Sequence, residues 1–186
     1  MEMEMTEITS DKWTLIEKII AEEQKMFLSV NAREHSACQD QPETFKLMRW
    51  MSHSVLSQAT LASYLVDLES AHEEERNLMT EKYARMENLI PPIKNSPVIH
   101  DIAAIELRWM RAFRKKYPRI IQDNPADFER YLRCEYETYS DCTLHLLNKD
   151  IQNALSRNLN LVELRYRNLF KRMGYDSLDE VGNPSR

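Results

Sequence analysis

Residues 59–89, ATLASYLVDLESAHEEERNLMTEKYARMENL, contain neither glycine nor proline and are rich in Ala, Leu, Glu, Lys and Arg. These residue types are the strongest helix formers. Apolar side chains recur at intervals of three and four residues, as they do along one face of a helix. They are Leu61, Leu65, Leu68, Met79, Tyr83, Met86 and Ile90. We therefore predict one long helix from Ala59 to about Leu89.

The composition of the whole chain also favours helices. Its 186 residues include only 2 glycines, Gly174 and Gly182, whereas sheets and their turns consume glycine. We predict an all-α protein: a single compact bundle of about six helices. One domain is expected over residues 1–186, with fraying at 1–9 and 176–186.

Helix start and stop signals divide the rest of the chain. Helix-capping residues and prolines mark the starts, and prolines or glycine mark several ends. Gly174 is expected to supply a left-handed cap. The other five predicted helices run from about 10 to 31, 42 to 56, 97 to 118, 125 to 157 and 161 to 173.

Charge and cysteine content exclude several classes of protein. A net charge of -5 argues against a dedicated nucleic-acid binder, which needs a basic surface. No apolar stretch approaches the roughly 18 residues that cross a bilayer, so no membrane association is expected. Cys38, Cys134 and Cys142 are odd in number and lack metal-site spacing, which favours a reducing cytoplasm. Cys38, near His35 in sequence, is a weak candidate nucleophile.

Several polar residues fall on the predicted buried faces. His72, Glu75 and Lys82 lie on the stripe of the long helix, and Glu135 lies beside Tyr139 on another. Further inward carboxylates are Glu23, Glu106 and Asp150. An unpaired buried charge costs several kcal/mol, so such groups must pair or line a cavity.

These residues allow three interpretations. They could form ion pairs in a dry core, such as Lys82 with Glu135 or Glu75. They could instead line a polar pocket in which Lys82 or His72 holds an anionic or amino-acid-like ligand. The third interpretation is a di-metal site with Glu69-x-x-His72, to which Glu23 and Glu106 would add ligands, although the motif occurs only once.

Shared segments also indicate a family. The chain resembles a bacterial family named domain of unknown function 4125, in which a glycine stands where this chain has Glu75. The resemblance implies a compact helical cytoplasmic domain, but no activity, cofactor or partner. The segments that carry it are KMFLSVN at 25–31, SACQ at 36–39, Phe45-x-x-Met48-Arg49, SYLVDL at 63–68, NLMTEKYARM at 77–86 and Glu135-x-x-x-Tyr139.

We therefore expect a small-molecule enzyme or binding protein, acting on an amino-acid-like or carboxylate-bearing metabolite, and no motif implies a cofactor. The alternative is a non-catalytic interaction module, such as a homodimer with an exposed apolar face. The expected catalytic residues are Lys82, Glu135, His72 and Tyr139, and the expected ligand-binding residues, which lie in the shared segments, are Tyr83, Arg49 and Tyr64.

Overall fold

A computed structural model describes residues 10–30, 41–121 and 125–182, and every regular element in these ranges is a helix. The all-α prediction is confirmed. The predicted number of about six helices is too low, because the described ranges contain nine. They are α1 (Ser10–Leu28), α2 (Pro42–His53), α3 (Gln58–Glu73), α4 (Leu78–Met86), α5 (Pro97–Lys116), α6 (Pro125–Tyr136), α7 (Asp141–Ser156), α8 (Leu161–Arg172) and α9 (Leu178–Gly182).

The long helix predicted over residues 59–89 is wrong, because the chain turns between α3 and α4. Glu75 has a φ of 56°, in the left-handed region, and Arg76 N–H donates to Ala71 O at 2.7 Å. This is the helix-ending arrangement that usually employs glycine. Asn77 then caps α4 by accepting a hydrogen bond from Thr80 N–H at 2.9 Å.

The helix predicted over residues 125–157 is also interrupted, by four residues between α6 and α7. Ser140 caps α7, since its hydroxyl accepts a hydrogen bond from Thr143 N–H at 3.2 Å. Tyr139, in the turn between α6 and α7, donates from Oη to Glu135 Oε1 in α6 at 3.0 Å. The turn therefore contributes one of two hydrogen-bonded site residues.

The C-terminal end of the chain partly matches expectation. Gly174 has a φ of 91° and ends α8, which confirms its predicted left-handed cap. The tail from 176, where fraying is expected, contains α9, and Leu178 is buried. Leu178 belongs to a small apolar cluster with Met110, Phe113, Ile121 and Val162.

The main apolar core draws side chains from α1 to α8. Helix α1 packs against α2, α3 and α4, and α5 packs against α6, α7 and α8. Contacts of α2 with α8 and of α4 with α6 join these groups. Within the described residues, no helix is both long and apolar enough to span a membrane. The candidate nucleophile Cys38 and its neighbour His35 lie outside the described residues.

Candidate functional site

Arg49 in α2 lies at the centre of a buried group of charged side chains. Its Nε and Nη2 atoms donate to Glu23 Oε2 and Oε1 at 2.8 and 2.5 Å. Its Nη2 and Nη1 atoms donate to Glu135 Oε1 and Oε2 at 3.0 and 3.1 Å. Nη1 also donates to Tyr131 Oη at 3.2 Å. Arg49 thereby joins α1, α2 and α6 inside the core.

The hydrogen bonds of Arg49 use its full capacity. A guanidinium has five N–H donors, one on Nε and two on each Nη. Nε donates to Glu23, Nη2 donates to Glu23 and Glu135, and Nη1 donates to Glu135 and Tyr131. No N–H group is left for a ligand. Arg49, which the sequence suggests as a ligand-binding residue, is a structural hub in this conformation.

Glu135 accepts two further hydrogen bonds. Lys82 Nζ donates to its Oε2 atom at 2.7 Å, and Tyr139 Oη donates to its Oε1 atom. The Lys82 ammonium also lies 3.7 Å from the ring centroid of Tyr131, a cation–π contact. The side chain of Lys82 is only 2% exposed. The ion pair between Lys82 and Glu135, one of the alternatives raised by the sequence, is present.

The buried charges stabilise one another's ionised forms. Burial alone raises the pKa of a carboxyl, but Arg49 and His53 lower the pKa of Glu23 to about 2. Burial likewise opposes ionisation of Glu135, but Arg49 and Lys82 hold its pKa well below the usual range. Burial lowers the pKa of Lys82, but Glu135 and, to a smaller extent, Tyr131 and Tyr83 together raise it above its ordinary value. The negative charges of Glu23 and Glu135 are therefore balanced by the positive charges of Arg49 and Lys82.

His53, one turn after Arg49 in α2, contacts the same carboxylate. Its Nε2 atom lies 3.2 Å from both Glu23 Oε1 and Oε2. Tyr64 Oη donates to Glu23 Oε1 at 2.9 Å. The other ring nitrogen of His53, Nδ1, is buried and has no hydrogen-bond partner among the residues that the structure describes. His53 therefore contacts Glu23 through Nε2, whereas its Nδ1 atom has no hydrogen-bond partner in the described part of the chain.

A second buried network lies between α5, α6 and α8. Arg165 donates from Nη1 to Glu106 Oε2, and from Nη2 to Glu106 Oε1 at 2.9 Å. Tyr136 Oη donates to Glu106 Oε1 at 3.0 Å. The Nε atom of Arg165 is buried without a hydrogen-bond partner in the described part of the chain. Unlike Arg49, Arg165 leaves part of its donor capacity unused.

Both networks reach one cavity of about 420 Å³. Helices α2, α5, α6, α7 and α8 contribute most of its lining. The lining residues that belong to the two networks are Arg49, His53, Tyr131, Glu135, Tyr136, Tyr139 and Arg165. The apolar lining residues are Met48, Met51, Leu56, Met86, Met110, Ile121, Phe128, Leu132, Leu147 and Val162. The cavity therefore combines an apolar surface with a few buried charged groups, the usual character of a small-molecule site.

The sequence predicts part of this arrangement. Lys82, Glu135 and Tyr139 meet as expected, and Arg49 and Tyr64 join the same network. Lys82 and Tyr64, however, are not among the lining residues of the cavity.

Three residues expected in the interior lie elsewhere. His72 and Glu75 are exposed, and Tyr83 is only half-buried. Glu75 was placed inside because the stripe was extended across the turn at residues 74–77, whereas His72 lies in α3 just beyond the buried face that contains Leu68 and Ala71. A new helix begins after that turn with its own buried face.

The alternative metal set is not assembled. Glu69 and His72 are exposed, whereas Glu23 pairs with Arg49 and Glu106 pairs with Arg165. Among the described residues, no group of three or more His, Cys, Asp or Glu side chains is placed to hold a metal ion.

His53 and Arg165 are among the site residues that are absent from the sequence prediction. The signal that could have revealed them is helical spacing. His53 follows Phe45 and Arg49 at intervals of four residues, and all three are buried. Arg165 lies between Leu161 and Leu169 at the same interval, on the buried face of α8.

Comparison with known proteins places the chain in a family. A family model described as "Protein of unknown function (DUF4125)" matches residues 13–183. The chain therefore belongs to this family, and the resemblance seen in the sequence is confirmed. No curated protein and no solved structure gives a significant match to the chain.

Proposed function

We propose that this chain binds a small metabolite with an apolar body and a carboxylate end, in the cavity formed mainly by α2, α5, α6, α7 and α8. One observation carries the proposal: two separate buried ion networks reach a single cavity whose remaining lining is largely apolar. Burying charged groups costs free energy, and such groups commonly mark functional sites. The proposal keeps the carboxylate-bearing ligand expected from sequence, but places it beside different residues.

The size of the cavity supports a small molecule. At about 420 Å³ it falls within the range of roughly 300–1,000 Å³ typical of ligand sites. Four methionines, Met48, Met51, Met86 and Met110, contribute to its lining. Methionine side chains are flexible and adapt to the shape of an apolar group. This lining suits an aliphatic body rather than a wholly polar ligand.

Donor capacity identifies the residue that holds the carboxylate. Arg49 has no N–H left, and the Lys82 ammonium is engaged by Glu135 and is not part of the lining. Arg165 uses Nη1 and Nη2 for Glu106 and has no protein partner for Nε among the described residues. A carboxylate accepts paired hydrogen bonds from a guanidinium. We therefore assign the anionic end of the ligand to Arg165.

The carboxylates of the network around Arg49 are not suited to acid–base catalysis, which supports a binding function. Arg49 and its neighbours hold the pKa values of Glu23 and Glu135 low, so both groups are anions at neutral pH. Both are also occupied by hydrogen bonds within the network. Their role in this proposal is to fix the helices that shape the cavity.

We also propose a reducing cytoplasmic location. Of the cysteines that the structure describes, Cys134 and Cys142 are both free thiols. Unpaired thiols persist in reducing compartments, whereas exported proteins commonly pair them. The net charge of -5 supports a small molecule over a nucleic acid as the ligand.

The test compares isocaproate with isocaproamide, which has the same shape but no charge. Isothermal titration calorimetry on the wild-type protein should show at least about tenfold tighter binding of isocaproate, because a hydrogen bond to a charged group contributes about 1.5–3 kcal/mol. The variant Arg165→Met with Glu106→Gln removes both charges of the pair, which avoids a stranded buried anion. This variant should bind isocaproate and isocaproamide with equal affinity.

The matched control is Arg167→Met, also in α8. Arg167 is partly exposed, pairs with Glu163 and is not in the cavity lining. This variant should bind isocaproate as the wild type does. Equal affinity of the wild type for isocaproate and isocaproamide, or no binding of either, would overturn the proposal.

A further inference from the structure

His53 and Glu23 form a pair whose hydrogen positions follow from geometry. Nε2 lies 3.2 Å from both oxygens of Glu23, and an ionised carboxylate can only accept hydrogen bonds. Nε2 therefore carries the hydrogen. Arg49 Nη2, at 3.4 Å from Nε2, is also a donor and does not change this assignment. In the neutral ring, the lone pair is then on Nδ1.

Nδ1 is the part of this network that no protein group satisfies. It is buried, and no donor lies within hydrogen-bond distance among the described residues. A buried acceptor without a partner costs free energy, so native structures rarely keep one without a reason. His53 is only 1% exposed, yet it belongs to the lining of the cavity. The cavity therefore borders the side chain of His53.

The unused groups of His53 and Arg165 are complementary. Arg165 Nε–H can only donate a hydrogen bond, whereas His53 Nδ1 can accept one. Resting on the function proposed above, we infer that the ligand carries a hydrogen-bond donor beside its carboxylate, an amine or a hydroxyl, which His53 Nδ1 accepts. The ligand class narrows to aliphatic amino acids and hydroxy acids. His53 then determines specificity, and Arg165 supplies the attraction for the anion.

Three probes that share one carbon skeleton test this inference. Leucine carries an ammonium group, α-hydroxyisocaproate a hydroxyl, and isocaproate neither. Calorimetric titration of the wild type should show leucine or α-hydroxyisocaproate binding up to about tenfold tighter than isocaproate, as one hydrogen bond allows. The tighter of the two identifies the donor group.

The variant His53→Phe removes the acceptor and keeps an aromatic ring of similar shape. Glu23 still receives hydrogen bonds from Arg49 and Tyr64, so its charge stays paired. The preference for leucine or α-hydroxyisocaproate over isocaproate should disappear in His53→Phe, whereas the control Arg167→Met, which changes no residue of the cavity lining, should keep it. A preference that survives in His53→Phe would overturn the role of His53. So would a wild type that binds all three probes equally.

The hydrogen assignment has its own test, independent of any ligand. Nitrogen-15 chemical shifts of the wild type at neutral pH should show a protonated Nε2 and an unprotonated Nδ1 for His53. A protonated Nδ1 would overturn this inference and leave the carboxylate site at Arg165 standing. Failure of isocaproate to bind the wild type would instead overturn the proposed function, and this inference with it.

Discussion

Arg49 donates two parallel hydrogen bonds, from Nε and Nη2, to the two carboxylate oxygens of Glu23, and so joins α2 to α1 inside the core. This paired geometry gives a charged pair its strongest hydrogen bonding. Because the same guanidinium also donates to Glu135, its loss would leave Glu23 without its guanidinium partner and Glu135 paired through Lys82. The network therefore depends on Arg49 more than on any other member.

The first prediction concerns removal of this hub. Arg49→Met should lower the free energy of unfolding by about 3–5 kcal/mol, the usual cost of leaving a buried charge without its partner. Urea denaturation followed by circular dichroism measures it. The control is Arg76→Met, which removes partly exposed ion pairs with Glu74 and Glu81. That variant should lose less than about 1 kcal/mol. Equal losses in the two variants would contradict the assigned role of Arg49.

The second prediction concerns acid. Glu23 has a folded-state pKa of about 2 against an ordinary value of 4.5, and the pKa of Glu135 is also lowered. A lowered carboxyl pKa stabilises the folded state fully above the ordinary value and progressively less as pH falls toward the folded value. The free energy of unfolding should therefore decline between pH 4.5 and about pH 2.

The variant Glu23→Gln isolates one contribution to this decline. It removes the titrating group while Glu135 continues to pair with Arg49. The variant should be less stable than the wild type at neutral pH, and its stability should fall less steeply in acid. Urea titrations at several pH values provide the comparison. Parallel acid slopes for the two proteins would show that Glu23 does not contribute.

The third prediction uses the left-handed residue between α3 and α4. Glu75→Gly should raise the free energy of unfolding by about 0.5–1 kcal/mol, because glycine adopts a φ of 56° without steric cost. The free energy gained by relieving strain in the folded state should exceed the free-energy cost of the greater conformational entropy of glycine in the unfolded chain. Ala62→Gly is the control, since Ala62 is an exposed residue in the interior of α3, and it should destabilise by about 1 kcal/mol. Destabilisation by both changes would refute the strain argument.

The same turn explains why the sequence predicted the core better than the helices. Periodicity identified Lys82 and Glu135 as inward because each lies within an unbroken helix. It failed at Glu75, because this residue ends α3 in a left-handed conformation that its residue type does not announce. Residue Asn77, a favourable capping residue, was the available sign that a new helix begins.

The partners of Arg49 were beyond the sequence for a different reason. Arg49 meets Glu23 and Glu135 across 26 and 86 residues of chain. Helical spacing shows which residues face inward, but not which helices lie side by side. Only the contacts of Arg49 with α1 and α6, and of Arg165 with α5, show that Arg49 saturates its donors while Arg165 does not. The assignment of the ligand to Arg165 depends on that difference.

The last prediction separates the structural network from the ligand site. Lys82→Met alone removes one of the two cations that pair with Glu135 and leaves Arg49 as the other. It should lower the free energy of unfolding by about 3 kcal/mol or more. Adding Glu135→Gln removes the stranded anion and leaves Glu23 paired with Arg49, so stability should return to within about 1 kcal/mol of the wild type.

Ligand binding in this double variant provides the decisive measurement. Lys82 does not line the cavity, Glu135→Gln keeps the shape of the one lining residue that changes, and Arg165 with Glu106 is unchanged, so isocaproate should bind with nearly wild-type affinity. Calorimetric titration of the folded double variant measures this directly. If binding disappears while the protein stays folded, Lys82 and Glu135 hold the ligand themselves. The carboxylate site would then move from Arg165 to the residues that the sequence first indicated.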